Sequence, residues 1–152
     1  MNTIVVGSDH AGFLLKEKIA TYLKNHNYKV VDIGCENNTT KYNFPIYANK
    51  LCHQVIDKNC KGILICGSGI GMSMAANRFT EIRCALCYNI YAAKMARNHT
   101  NANVLALGER VIDTDLALNI VKTFLTEQFL EGHYTIRVNQ LSQKNWNICL
   151  LY

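Results

Sequence analysis

Apolar positions along this chain alternate between two rhythms. Thr3-Ile4-Val5-Val6 is a short β-rich run that ends in Gly7-Ser8-Asp9. Between Leu14 and His26, the residues Leu15, Ile19, Tyr22 and Leu23 recur at i, i+4, i+7 and i+8, which predicts an amphipathic helix. Val30 to Gly34 reads as a second strand, and Pro45 opens a helix from Ile46 to about Lys58, since proline suits a first helical turn. Gly62-Ile63-Leu64-Ile65-Cys66 is apolar throughout after its glycine, as in a strand covered on both faces. It runs into Gly67-Ser68-Gly69-Ile70-Gly71 and a helix carrying Met72, Met74, Ala75 and Ala76. Arg83 to Tyr88 and Val104 to Leu107 make two more strands, with a helix from about Ile90 to Arg97 between them. A longer helix is expected over Thr114 to Phe129, and another over Tyr134 to about Ile148.

Strand and helix therefore alternate from end to end. That predicts an α/β fold, a doubly wound five-stranded parallel sheet with helices on both faces. The common strand order for such sheets is 2-1-3-4-5, which sets the ligand crevice at the carboxyl ends of strands 1 and 3. The chain reads as one domain over residues 1–152, with 134–152 as a C-terminal helical arm surplus to the sheet. The arm is expected to pack on a partner subunit; folding back on its own domain is the alternative.

Composition changes this picture little. The chain has 152 residues, 49% of them hydrophobic and 18% charged, which argues against disorder and coiled coil. No apolar stretch approaches the roughly 20 residues of a membrane helix, and no basic leader precedes Ile4, so a cytoplasmic protein is expected. The net charge of +5 is scattered, with no cluster of basic residues of the kind that tracks nucleic acid. It fits an anionic small substrate at least as well. The seven cysteines are expected to be reduced thiols. Cys84 and Cys87 form a CxxC, but on a strand their thiols should point to opposite faces, which is poor geometry for one metal. No other His or Cys pair has convincing ligand spacing. His26 and His53 fall on helix faces and are expected in solvent.

The chemistry gathers where two distant segments should meet. Strand 1 ends in Asp9-His10-Ala11-Gly12, and strand 3 ends in Cys66 and the glycine loop. Backbone N–H groups of Gly67 to Gly71 could hold a phosphate or a reaction oxyanion, or the loop could be a plain tight turn. No Gly-Lys-Ser/Thr closes it, so it is not a P-loop. A thiol at a helix N-terminus ionises more readily, so Cys66 is a candidate base or nucleophile, against an inert core cysteine as the alternative. His99 precedes strand 5, at the edge opposite the crevice. It is either a surface histidine or a contribution to a neighbouring molecule's site. Arg110 and Arg137 are surface charges or phosphate partners.

In combination these segments resemble the type B ribose-5-phosphate isomerases, a family that also contains the galactose-6-phosphate isomerase subunits. The likeness is carried by Gly7 to Phe13, by Ile65 to Gly71 with Ala75-Ala76-Asn77-Arg78, and by Asn101 to Val111, and it spans roughly residues 3 to 138. It implies interconversion of ribose 5-phosphate and ribulose 5-phosphate through a cis-enediolate, without metal or other cofactor. It implies Cys66 as the base, Gly67, Ser68, Gly69, Ile70 and Gly71 as holders of the enediolate oxygens, and Asp9 at the substrate hydroxyls. His99 would open the furanose ring from across the interface of a homodimer, which could pair further into a tetramer. His10, Arg110 and Arg137 would contact the phosphate, with Thr100 and His133 at neighbouring substrate positions.

Some relatives carry a glutamate base where this chain has Met72. Three departures stand out: Thr100 replaces an asparagine, Asn43-Phe44-Pro45 replaces Asp-Tyr-Pro, and Glu131-Gly132-His133-Tyr134 replaces Gly-Gly-Arg-His with one residue fewer. Two other readings stay open: an isomerase of a six-carbon sugar phosphate (allose or galactose 6-phosphate), and a non-catalytic flavodoxin-like module that binds nucleotide or phosphate.

Overall fold

The computed structural model describes residues 2–142. Its strands are β1 (Thr3–Ser8), β2 (Lys29–Asp32), β3 (Lys61–Cys66), β4 (Cys84–Leu86) and β5 (Val104–Gly108). Six helices follow among the described residues: α1 (Phe13–Asn25), α2 (Phe44–Lys58), α3 (Ile70–Ala76), α4 (Ile90–Thr100), α5 (Thr114–Thr126) and α6 (His133–Leu141). A short 3-10 turn, His10–Gly12, joins β1 to α1. Each expected helix has a counterpart, although α5 stops at Thr126 rather than Phe129 and the last is described only as far as Leu141. Trp146, Ile148 and Cys149, which the expected last helix and arm include, lie outside the described residues.

All strand pairs are parallel, but the order is β2-β1-β3-β5-β4 and not the expected 2-1-3-4-5. β5 sits between β3 and β4. Burial explains the exchange. All five residues of β5 are buried, so it needs a neighbour on each side. β4 has only three residues, two of them half-buried, and suits an edge. The correction brings the end of β5 directly beside the end of β3, where Cys66 pairs with Gly108.

Side chains along each strand alternate between two cores. Ile4, Val6, Ile63, Ile65, Leu105 and Leu107 face one side and pack with Leu15, Ile19 and Leu23 of α1 and Phe124 of α5. Val5, Leu64, Val104 and Ala106 face the other, with Leu51 and Val55 of α2 and Met72 of α3. Cys84 joins the second core and Cys87 the first, so the CxxC thiols do point to opposite faces.

Helix ends follow local chemistry. Asn89 and Asp113 cap α4 and α5 by accepting from the N–H groups of Ala92 and Leu116. α2 and α4 close on Asn59 and Asn101, both in the left-handed conformation that asparagine tolerates. α6 packs against α4, and Tyr134 stacks on His99 with ring centroids 4.3 Å apart. None of the described helices is long and apolar enough to cross a membrane.

Candidate active site

β1 and β3 are neighbours, so their carboxyl ends form one crevice. Asp9 starts the 3-10 turn, and its Oδ1 accepts from the Ala11 N–H at 3.0 Å, which fixes the carboxylate at the mouth of the turn. The turn lies so close to β3 that a Cβ on Gly12 would sit 2.5 Å from the Ile65 backbone; only glycine fits there. Burial raises the Asp9 carboxyl above its ordinary range, against the opposing pull of the Ala11 amide, His10, the Gly12 amide and Arg110. His10 Nδ1 accepts from the Tyr42 N–H at 3.1 Å, so in the neutral ring Nε2 carries the proton.

Cys66 ends β3 with its residue 6% exposed, and its Sγ accepts from the Gly69 N–H at 3.0 Å. Gly69 has φ +80°, and a side chain there would meet Leu86 and the Leu107 backbone, so the loop can turn back over the sulfur only with glycine. The Ile70 N–H donates to Ser68 Oγ at 3.3 Å, and Tyr88 Oη donates to the Ser68 carbonyl at 2.7 Å. From just beyond β5, the Glu109 and Arg110 N–H groups donate to the carbonyls of Cys66 and Gly67 at 2.9 and 3.0 Å. The Arg110 side chain then lies across Gly67, with Cδ 3.5 Å from where a Cβ would stand.

These groups enclose a hollow of about 360 Å³ lined by Asp9, Ala11, Phe44, Cys66, Gly67, Ser68, Gly71, Arg110 and Val111. A larger one, about 990 Å³, lies along β4 and α4 and includes His99 and Thr100. Size does not pick the reactive site here. The smaller hollow joins a carboxylate, a thiol and a guanidinium beside the glycine loop, at the carboxyl ends of β1 and β3.

Of the residues singled out from sequence, Asp9, Cys66, Gly67, Ser68, Gly71 and Arg110 meet in this crevice. Gly69 and Ile70 do not line it; their N–H groups are already bonded to Cys66 Sγ and Ser68 Oγ. His10 sits on the turn beside it. His99, Thr100, His133 and Arg137 do not reach it. His99, His133 and Arg137 gather elsewhere, around Tyr134: His99 is stacked on its ring, His133 lies against it at 3.9 Å, and Arg137 is placed over it at 5.7 Å. Thr100 closes α4 with its Oγ1 donating to the Ala96 carbonyl.

Phe44, Val111, Tyr88 and Glu109 were missed from sequence. Phe44 stands out in the sequence only within the Asn43-Phe44-Pro45 departure and Tyr88 only as the end of an expected strand, signals that pointed to no particular side-chain contact. Among the described residues no three His, Cys, Asp or Glu side chains are placed to share a metal ion.

This arrangement can remove a proton at carbon and hold an anion close by. The chain is similar to known proteins over nearly all of its length. The Ribose/Galactose Isomerase family profile matches residues 4–141. The fold superposes on ribose-5-phosphate isomerase B of Clostridium thermocellum with a TM-score of 0.90 and 45% identity, covering 92% of this chain and 95% of that one. Ribose-5-phosphate isomerase B of Escherichia coli is 38% identical over 143 residues, covering 93% of this chain and 95% of the relative. D-erythrulose-4-phosphate isomerase of Pectobacterium atrosepticum is 37% identical over 142 residues, covering 93% of each.

Proposed function

Because the chain belongs to the ribose/galactose isomerase family, whose members are aldose–ketose isomerases of sugar phosphates, we propose that it interconverts ribose 5-phosphate and ribulose 5-phosphate. The observation that carries this is the Cys66 sulfur opening onto a hollow shared with Asp9, Ser68 and Arg110. In the aldose-to-ketose direction, Cys66 Sγ takes the proton from C2 of the open-chain sugar. The C2–H electron pair moves into a C1–C2 double bond, giving a cis-enediolate. Returning the proton to C1, with a hydroxyl proton passing from O2 to O1, completes the ketose, and nothing is oxidised overall.

The N–H groups of Gly67, Ser68 and Gly71, whose residues line the hollow, are the donors for the enediolate oxygens. Asp9 handles the sugar hydroxyls. A carboxyl raised by burial is well placed to relay a hydroxyl proton. Arg110 offers its planar fork to the phosphate, with His10 beside it.

Ring opening needs His99, which one chain does not bring to its own crevice. The reading is therefore a homodimer, in which the cluster of His99, Thr100, His133 and Arg137 completes the partner's crevice. His133 there stands in for the arginine usual in the family, and the C-terminal arm engages the partner.

Cys66→Ala is expected to lower turnover by at least ~100-fold, the smaller end of what a general base contributes. Full activity in that variant would overturn the assignment. Because one relative is named for a four-carbon sugar phosphate, rates on erythrulose 4-phosphate, ribose 5-phosphate and allose 6-phosphate identify the preferred chain length. The five-carbon substrate is expected to be fastest.

A further inference from the structure

We propose that a third hollow, at the amino ends of the strands, is a binding site for a small phosphate-bearing anion held by Lys61, Arg83 and Arg97. It measures about 580 Å³ and takes in Asn59, Asn101 and Asn103 beside the three cations. Lys61 opens β3, Arg83 precedes β4 and Arg97 lies in the last turn of α4, so the site is at the sheet edge opposite Cys66.

The two guanidinium groups converge on one residue. Arg83 Nε donates to the Asn101 carbonyl at 3.0 Å, and Arg97 Nη1 donates to Asn101 Oδ1 at 2.9 Å. Arg97 also donates to the carbonyls of Ala102 and Glu127, and Lys61 Nζ donates to the Leu125 carbonyl at 3.3 Å. Every one of these partners is neutral. Among the described residues, none of the three cations meets a carboxylate within 4.0 Å. Lys16, which is buried, does find two, Asp32 and Glu17. The carboxylate on the hollow's wall, Glu81, is exposed and pairs with none of the three.

Three half-buried or buried cations without counter-charge are costly unless something supplies it. Burial and the Arg97 charge push the Lys61 ammonium down to about 8, and burial and the Arg83 charge lower Arg97. Donors remain for a ligand, because of the Arg83 side-chain nitrogens only Nε is bonded among the described residues. No buried side-chain nitrogen there lacks a partner, so these free donors open on solvent. A dianion or trianion would neutralise the cluster, and the guanidinium fork matches phosphate oxygens.

The test is a titration of the full chain with inorganic diphosphate, followed by backbone amide shifts in NMR. Saturable shifts are expected at Lys61, Asn101 and Asn103, separate from any at Ser68 to Gly71. Lys61→Gln and Arg83→Gln should each weaken the first set at least ~10-fold, the worth of one charge-assisted hydrogen bond. The crevice shifts should keep their affinity. If Arg83→Gln does not fold, Arg83→Lys with Lys61→Gln replaces it. Shifts confined to the crevice, or unchanged affinity in the variants, overturn the proposal.

Discussion

Cys66 shares the chain with cysteines of very different situation. Cys52 is fully buried, and burial pushes both its thiol and that of Cys87 up to about 12. Cys84 is driven up by burial too, with Cys52 and Cys87 adding to the effect. These three stay protonated at neutral pH and react slowly. Iodoacetamide at pH 8 is therefore expected to modify Cys66 well before Cys52, Cys84 or Cys87, with ribose 5-phosphate protecting Cys66. Peptide mapping that finds Cys52 labelled equally fast, or no protection, would contradict the crevice assignment. Lys61 gives a pH test. Its folded pKa of about 8 lies below the ordinary 10.5, so between those values the unfolded chain binds more protons than the native one. Stability of the natural chain should therefore climb relative to Lys61→Met across that window, and urea midpoints holding a constant gap would refute this.

At the level of elements, the site depends on a helix that carries no cap of its own. Gly12 precedes α1 without a side-chain bond, and Glu109, from beyond β5, supplies it by accepting from the Leu15 N–H at 2.9 Å. Glu109→Ala is expected to cost about 1 kcal/mol in chemical denaturation, the usual worth of a cap, and no change would show that the bond is idle. That contact also marks how far the sequence could be read. The alternation of strands and helices was legible because the periods of apolar residues are local. So was the meeting of Asp9 with Cys66, since β1 and β3 adjoin in either strand order considered. The placement of β5 was not, because neighbours in a parallel sheet are set by crossovers between distant segments. The difference in length and burial between Cys84–Leu86 and Val104–Gly108 was the available signal. Arg110 consequently belongs beside Gly67 itself, closer than the expected order allows.

Across the whole molecule, catalysis under this reading needs two chains. The crevice holds Cys66, while His99 stands with Tyr134 on another surface. The wrong-edge position of His99 could be read from the sequence; its stacking partner could not, because nothing local links residues 99 and 134. Mixing Cys66→Ala with His99→Ala is expected to recover part of the activity that each lacks alone, since one crevice in a mixed dimer then has both groups intact. No recovery, with subunit exchange demonstrated by mass spectrometry, would mean that each chain works alone.

The exchanged order of the last two strands also bears on how the protein is made. Among the described residues β4 pairs only with β5, yet it leaves the ribosome first. Until Val104–Gly108 has emerged, Cys84–Leu86 has no backbone to join, and Gly67–Gly71 lacks the segment that anchors it. During translation, the crevice can close only after the fifth strand slots into the gap left for it.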